Sequence, residues 1–378
     1  MDRGNSKPRV FLFSQRNHRS IMPYLCPHFE FEDIISEIDS VEMIAPHLDL
    51  SPRRYAIAKQ IAYHVPIFLN PGMEKTSISD TYDIFFAICG SPKDLIRVAA
   101  LGDWRAKCRT SVCLIDELWV RDIPGCGYYL SILDKFDLVM LYYSQTVEPL
   151  SKKLKSKCAF LPPGVDAIRF CPYPNPPRRS IDVYSIGRRS EQTHQNLLKM
   201  AVAEGRFYLH DSIAANQVLN AQEHRILFSN VAKRSKYFIV NPGLIDRPEV
   251  RGNQMEIGNR YFEGAAAGTI MLGERPDNPM FEQLFDWADA VTHLPYNCED
   301  VAGVIHAIES DPERQDRISR RNVMEALMRH DWVYRWEAVL QAVGLEPTSA
   351  MRKRKETLAQ LAHFTMTREA EQVQHALM

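Results

Sequence analysis

Short apolar runs rich in β-branched and aromatic residues recur along the chain, separated by longer stretches in which apolar residues return every three or four positions. That alternation predicts strands leading into helices, and strands joined through helices pair in parallel. In the first half strands are expected at 9–14, 41–45, 83–89, 111–115, 138–142 and 159–161, with helices at 31–38, 52–64 and 147–155. A second series places strands at 181–186, 207–210, 237–240, 269–272 and 290–293, with helices at 192–203 and 261–267. Asn297, Glu299 and Asp300 have the look of a capped helix start, with acidic side chains over the positive end of the helix dipole. Between the two series lie Pro162, Pro163, Pro172, Pro174, Pro176 and Pro177. So many fixed φ angles and missing donors cannot propagate a helix or a central strand, so the stretch reads as a linker. The expected plan is a Rossmann-like domain at 1–165, a proline-rich linker at 166–180, a second Rossmann-like domain at 181–345 and a helical tail at 346–378.

Composition narrows the function classes. At 378 residues the chain is long for one core and suits two. With 46 basic and 47 acidic side chains its formal charge is -1, which gives no general field for a nucleic acid or an acidic membrane. The eight cysteines show no Cys-x-x-Cys pair and read as reduced thiols. The apolar run Val10 to Phe13 is too short for a signal-peptide core, and no later run reaches the roughly 18 apolar residues of a membrane span. A cytoplasmic protein is expected. The basic run Met351-Arg352-Lys353-Arg354-Lys355 reads as a solvated helix face, with peripheral membrane contact as the alternative.

In an open parallel sheet, ligands gather outside the carboxyl ends of the strands, so the residues just after each strand are the ones to inspect. After the strand at 181–186 comes Gly187-Arg188-Arg189-Ser190, where a glycine permits close backbone approach and two arginines can clamp phosphate oxygens. The bland alternative is a polar turn with two surface arginines. Asn241 follows the strand at 237–240. Gly258-Asn259-Arg260 opens a helix whose first N–H groups can meet an anion, and Glu263, a turn further on, can accept from ribose hydroxyls. The small residues 264–268 would let that helix lie close to the sheet, in which case Glu263 could simply face solvent. Gly-x-Gly-x-x-Gly is absent, so nicotinamide binding is not indicated.

Phe262-Glu263-Gly264-Ala265-Ala266-Ala267-Gly268 resembles the Phe-Glu-Ala-x-Ala-x-Gly pattern of GT-B glycosyltransferases of the group 1 type. The resemblance extends through Gly187-Arg188 and the Pro163-Gly164-Val165-Asp166 run, over about residues 158–340. It implies two Rossmann-like domains facing a cleft and transfer of a sugar from a nucleotide-diphosphate donor to a saccharide, lipid-linked or small-molecule hydroxyl. By the same resemblance, Glu263 holds the donor ribose, Gly258 and its neighbours offer amides to the diphosphate, and Arg188 neutralises the departing nucleotide. Two positions depart from the pattern. Met255 stands where retaining members carry a second glutamate, with Glu256 displaced by one, and Thr193 and His194 occupy the region where a lysine is common. Arg189 or Arg260 could supply that charge.

The first half carries little family pattern. His18, Asp116 and Glu117 follow strands and have the chemistry of a base near an acceptor hydroxyl, although a lone histidine in such a loop is more often structural. No metal-ligand spacing is present, and no cofactor beyond the donor substrate is expected. A sugar-nucleotide epimerase and a catalytically silent scaffold of the same fold are the competing readings. Donor identity, stereochemistry and oligomeric state are not legible.

Overall fold

The computed structural model describes residues 7–17, 22–47, 52–64, 69–73, 78–211 and 218–376. Two compact units emerge, one of residues 1–21, 32–162 and 336–351, the other of residues 22–31, 163–335 and 352–378. Each is built on an all-parallel sheet with helices between its strands.

The first unit's sheet has six strands: β1 (Val10–Phe13), β2 (Val41–Ile44), β3 (Tyr82–Cys89), β4 (Cys108–Ile115), β5 (Leu138–Leu141) and β6 (Lys157–Phe160). Their order is β2-β1-β3-β4-β5-β6. Strands covered on both faces need apolar side chains pointing both ways, and Val10 to Phe13 and Leu138 to Leu141 are buried throughout. Phe85 packs in a ring cluster with Phe11, Trp104 and Phe136, at centroid separations of 5.4, 4.5 and 5.9 Å. The segment 336–351 returns to this unit, where Trp336 donates to Asp39 at 2.8 Å and Arg9 donates to the Glu346 carbonyl at 2.9 Å.

The second unit's sheet comprises β7 (Ile181–Ser185), β8 (Tyr208–His210), β9 (Ser235–Val240), β10 (Ile270–Gly273) and β11 (Thr292–His293), in the order β11-β10-β9-β7-β8. The helix Asn259–Ala266 lies tight against it. A Cβ on Gly264 would sit 2.9 Å from both Phe238 Cδ1 and Met271 Sδ, so only glycine allows this approach. The capped helix expected near Asn297 spans Val301–Glu309, but its cap is Asp300, which accepts from the Gly303 N–H at 2.8 Å. Asn297 instead accepts from the Ser190 hydroxyl at 2.6 Å.

The proline-rich stretch is structured within this unit. Asp166 caps the short helix Ala167–Phe170, and Phe170 is sealed from solvent. The tail forms the helix Ser349–Ala376. In its basic run Met351 is buried, Arg354 pairs with Asp166 and Asp331 at 2.8 Å, and Lys355 lies 5.3 Å over the Tyr334 ring, leaving Arg352 and Lys353 exposed. Among the described residues no helix is long and apolar enough to cross a membrane.

Candidate functional site

Because the second sheet is parallel throughout, the loops after β7, β9 and β10 leave from one edge. Gly187 sits at φ +90, a left-handed conformation that favours glycine, and its N–H donates to Asp211 at 2.9 Å. The turn so formed sends its two arginines to different partners. Arg188, with 46% of its side chain exposed, meets Asp246 at 3.1 Å. Arg189 donates to the Asp211 carbonyl and lines a narrow crevice with Ser185, Asn241 and Tyr296.

The other strand ends are tied to one another through Glu274. Its N–H donates to Asn241 Oδ1 at 3.4 Å, its carboxylate accepts from the Tyr296 N–H at 3.0 Å, and its carbonyl accepts from the Tyr261 hydroxyl at 2.6 Å. Gly258 caps the helix Asn259–Ala266 with extended backbone and no side chain over the opening turn, and a Cβ added there would lie 3.7 Å from the Asn241 carbonyl oxygen. Gly187, Arg188, Arg189, Asn241, Gly258, Asn259 and Arg260 thus all belong to the strand-end loops of one sheet.

Glu263, expected at the donor ribose, is instead closed off from solvent and engaged on both oxygens. Arg225 donates to Oε1, and Arg260 donates to Oε2. Burial pushes the carboxyl toward its neutral form, but Arg260 and Arg225 outweigh it and hold its pKa below the ordinary value. Arg260 keeps 25% of its side chain exposed and stacks 4.9 Å over the Phe228 ring. Arg225 is fully buried and bidentate on Glu30 at 3.0 and 2.9 Å.

Both departures from the family pattern have a structural counterpart. Glu256 is buried and accepts from Gln254 at 2.8 Å and Asn278 at 3.3 Å. Where a lysine is common, Thr193 accepts from the Cys298 N–H at 2.9 Å, and His194 shares a 3.0 Å hydrogen bond with the Tyr208 hydroxyl. Burial, then Arg189 and His210, lower the His194 pKa.

In the first unit, Asp116 and Glu117 directly follow β4. Asp116 is half-buried; Glu117 is exposed and accepts from Trp119 Nε1 at 2.8 Å. Glu117 lines a cleft of about 360 Å³ with Ser91, Lys93, Arg121 and Tyr129. His18 lies outside the described residues. At the end of β1, Arg16 Nη2 binds Glu32 at 3.0 Å and Asp33 at 2.8 Å, and the Ser14 hydroxyl also donates to Glu32. Burial, only partly offset by Arg16, raises the Glu32 pKa to about 6.

Sequence reasoning missed Arg225, Glu30, Glu274 and Tyr296. Glu30 and Arg225 are 195 positions apart, and neither belongs to a motif. Tyr296 and Glu274 do follow strands β11 and β10, and a scan extended to every strand end would have included them.

Residues 191–341 match the family described as glycosyl transferase-like. No curated protein matches the chain. Among solved structures, an alpha-glucosyltransferase in complex with UDP-glucose and DNA containing an abasic site is similar at 10% identity and a TM-score of 0.53, covering 89% of this chain and 99% of that one. Anabaena HepE in complex with UDP-glucose has a TM-score of 0.50 at 10% identity, covering 89% and 99%. An alpha,alpha-trehalose 6-phosphate synthase from Burkholderia multivorans has a TM-score of 0.51 at 10% identity, covering 90% and 97%. At such identities the structures speak for the fold alone. The chain has the GT-B fold, and its residues 191–341 are similar to the glycosyl transferase-like family.

Proposed function

We propose that this enzyme moves a glycosyl group from a nucleotide-diphosphate sugar to a hydroxyl of a saccharide, lipid-linked or small-molecule acceptor, with the donor held by the second unit. The observation that carries this reading is the cationic strand-end edge, where Arg188, Arg189 and Arg260 accompany the glycine turn at Gly187 and the open helix start at Gly258. Arg189, Asn241 and Tyr296, which border the crevice at the strand ends, are the candidates to meet the nucleoside. The N–H groups that open the helix at Asn259, together with Arg260 and Arg188, suit the diphosphate.

The bond between the anomeric carbon and the diphosphate oxygen breaks with its electron pair leaving on oxygen. Arginines placed where that charge grows stabilise the transition state more than the ground state. The acceptor oxygen forms the new bond and loses its proton to a carboxylate, for which Asp116 and Glu117 are the first unit's candidates, beside His18. The reading assigns the diphosphate to the arginines and the helix start. Glu263 enters as the anchor of Arg260.

Two of the similar structures hold UDP-glucose, which makes a uridine diphosphate hexose the first donor to try. Thermal stabilisation should be measured with uridine, guanosine, adenosine and thymidine diphosphate sugars, followed by release of nucleoside diphosphate with and without acceptor hydroxyls. One donor should raise the melting temperature and be consumed. No stabilisation by any of them, and no release, would sink the reading.

A further inference from the structure

Eight charged side chains alternate in sign through the second unit. In contact order they are Asp331, Arg354, Asp166, Arg169, Glu30, Arg225, Glu263 and Arg260. Arg354 bridges Asp331 and Asp166 at 2.8 Å, Arg169 bridges Asp166 and Glu30 at 3.3 Å, and Arg225 bridges Glu30 and Glu263. The chain of pairs ends at Arg260, on the edge assigned to the donor. Arg225, Glu30, Glu263 and Asp331 have at most 1% of their side chains exposed.

Such a device is a poor stabiliser, because each buried ion loses its hydration and a well-packed apolar cluster would do as well or better. Its effect is on orientation and charge. Glu263 carries one negative charge, and two guanidiniums claim it. The positive charge of Arg225 adds to the potential at Arg260 and offsets part of what Glu263 contributes there. In a dry interior this offset matters, since Coulomb interactions there are several times stronger than in water.

We propose that Arg225 is a positioning residue: by holding Glu263 from the buried side and offsetting its charge, it keeps the potential around Arg260 positive toward a diphosphate, while touching no ligand itself. This rests on the donor reading above. Glu30 counters Arg225 in turn, because it competes with Glu263 for the same guanidinium. The two buried neighbours therefore act on Arg260 with opposite signs.

The test uses the full chain and whichever of UDP, GDP, ADP and dTDP it binds most tightly, with dissociation constants from calorimetry and folding checked by circular dichroism. Arg225→Met should weaken binding about tenfold. Adding Glu263→Gln, which keeps a carbonyl for Arg260 to donate to but removes the charge, should restore affinity to within about threefold of the unmutated chain. Glu30→Gln should tighten binding about twofold. A double variant no better than Arg225→Met, or a Glu30→Gln variant that binds more weakly than the unmutated chain, would overturn the role of Arg225. Should Arg225→Met not fold, Glu263→Gln and Glu30→Gln decide alone: tighter binding in both supports the proposal, weaker binding in either removes it. Failure of the unmutated chain to bind any of the four nucleotides is a different result, because it removes the donor reading itself.

Discussion

The two sheets are alike in build and differ in the side chains at their strand ends. After β4 the first unit carries Asp116 and Glu117, and after β1 it carries Arg16, bound to Glu32 and Asp33 of the helix Cys26–Ile38. After β7 and at the turn into the helix Asn259–Ala266, the second presents Arg188, Arg189 and Arg260. A shared backbone thus supports two kinds of site, one suited to taking a proton and one suited to a leaving anion. The fold places strand ends; the chemistry is decided by a handful of side chains on loops.

The sharpest way to break this comparison is to neutralise the acid edge. Glu117→Gln should lower turnover about a hundredfold, the low end for loss of a general base, with the donor dissociation constant unchanged. Asp116→Asn, tested alongside, identifies which carboxylate takes the proton. If both variants turn over like the parent, the base is neither of them, and the first unit's acids lose their half of the comparison.

On the cationic edge the expected effect is on binding. Arg260→Ala removes a charge-assisted contact to the diphosphate, typically worth about 1.5 to 3 kcal/mol, which is roughly tenfold to a hundredfold in affinity. Calorimetry with nucleoside diphosphate reads it directly, and unchanged affinity would take Arg260 out of the site. Arg188 differs because it is more exposed and tethered to Asp246. Its replacement by Ala should reduce kcat about tenfold with a smaller change in affinity, the signature of a group that meets charge developing in the transition state. Loss of affinity alone would recast it as a ground-state anchor.

The same contrast explains what could be read from residues alone. Every strand of both sheets corresponds to an expected apolar run, since parallel strands buried on two faces need almost nothing else. The helix Ala221–Lys233 was not anticipated, and the reason is visible on it: Ile226 and Leu227 are 45% and 65% exposed, whereas Arg225 is buried. Its buried face, Arg225, Phe228, Ser229 and Ala232, returns at helical spacing but carries an arginine and a serine where apolar residues are expected. Arg354 was hidden for a related reason, since a basic run at the head of a helix looks solvated until Asp166 and Asp331 are seen opposite it. The Gly258 helix start and the close approach at Gly264 were legible because glycine leaves few alternatives. Glu263 shows the limit of a motif: its position followed from the pattern, but its two arginine partners did not.

The smallest expected effect concerns stability and sharpens the acid side. Glu32 is fully buried between Ser14 and Arg16, and burial lifts its pKa to about 6, above the ordinary 4.5. Between those two values the folded state holds a proton that the unfolded chain has released. Stability contributed by this group is therefore present below pH 4.5 and is lost as pH rises through 6. At pH 7.5 the ion is buried at a net cost even with Arg16 beside it, so a neutral side chain of the same shape should be better tolerated. Glu32→Gln should raise unfolding free energy by at most about 2 kcal/mol at pH 7.5, on the scale of 1.36 kcal/mol per pKa unit, and by far less at pH 4.5. Urea unfolding at the two pH values measures the difference, and the slope of free energy against denaturant should not change. A variant less stable at pH 7.5 would mean that the Arg16 pair outweighs burial, and the strand end after β1 would then be a structural ion pair, not a reserve of protons.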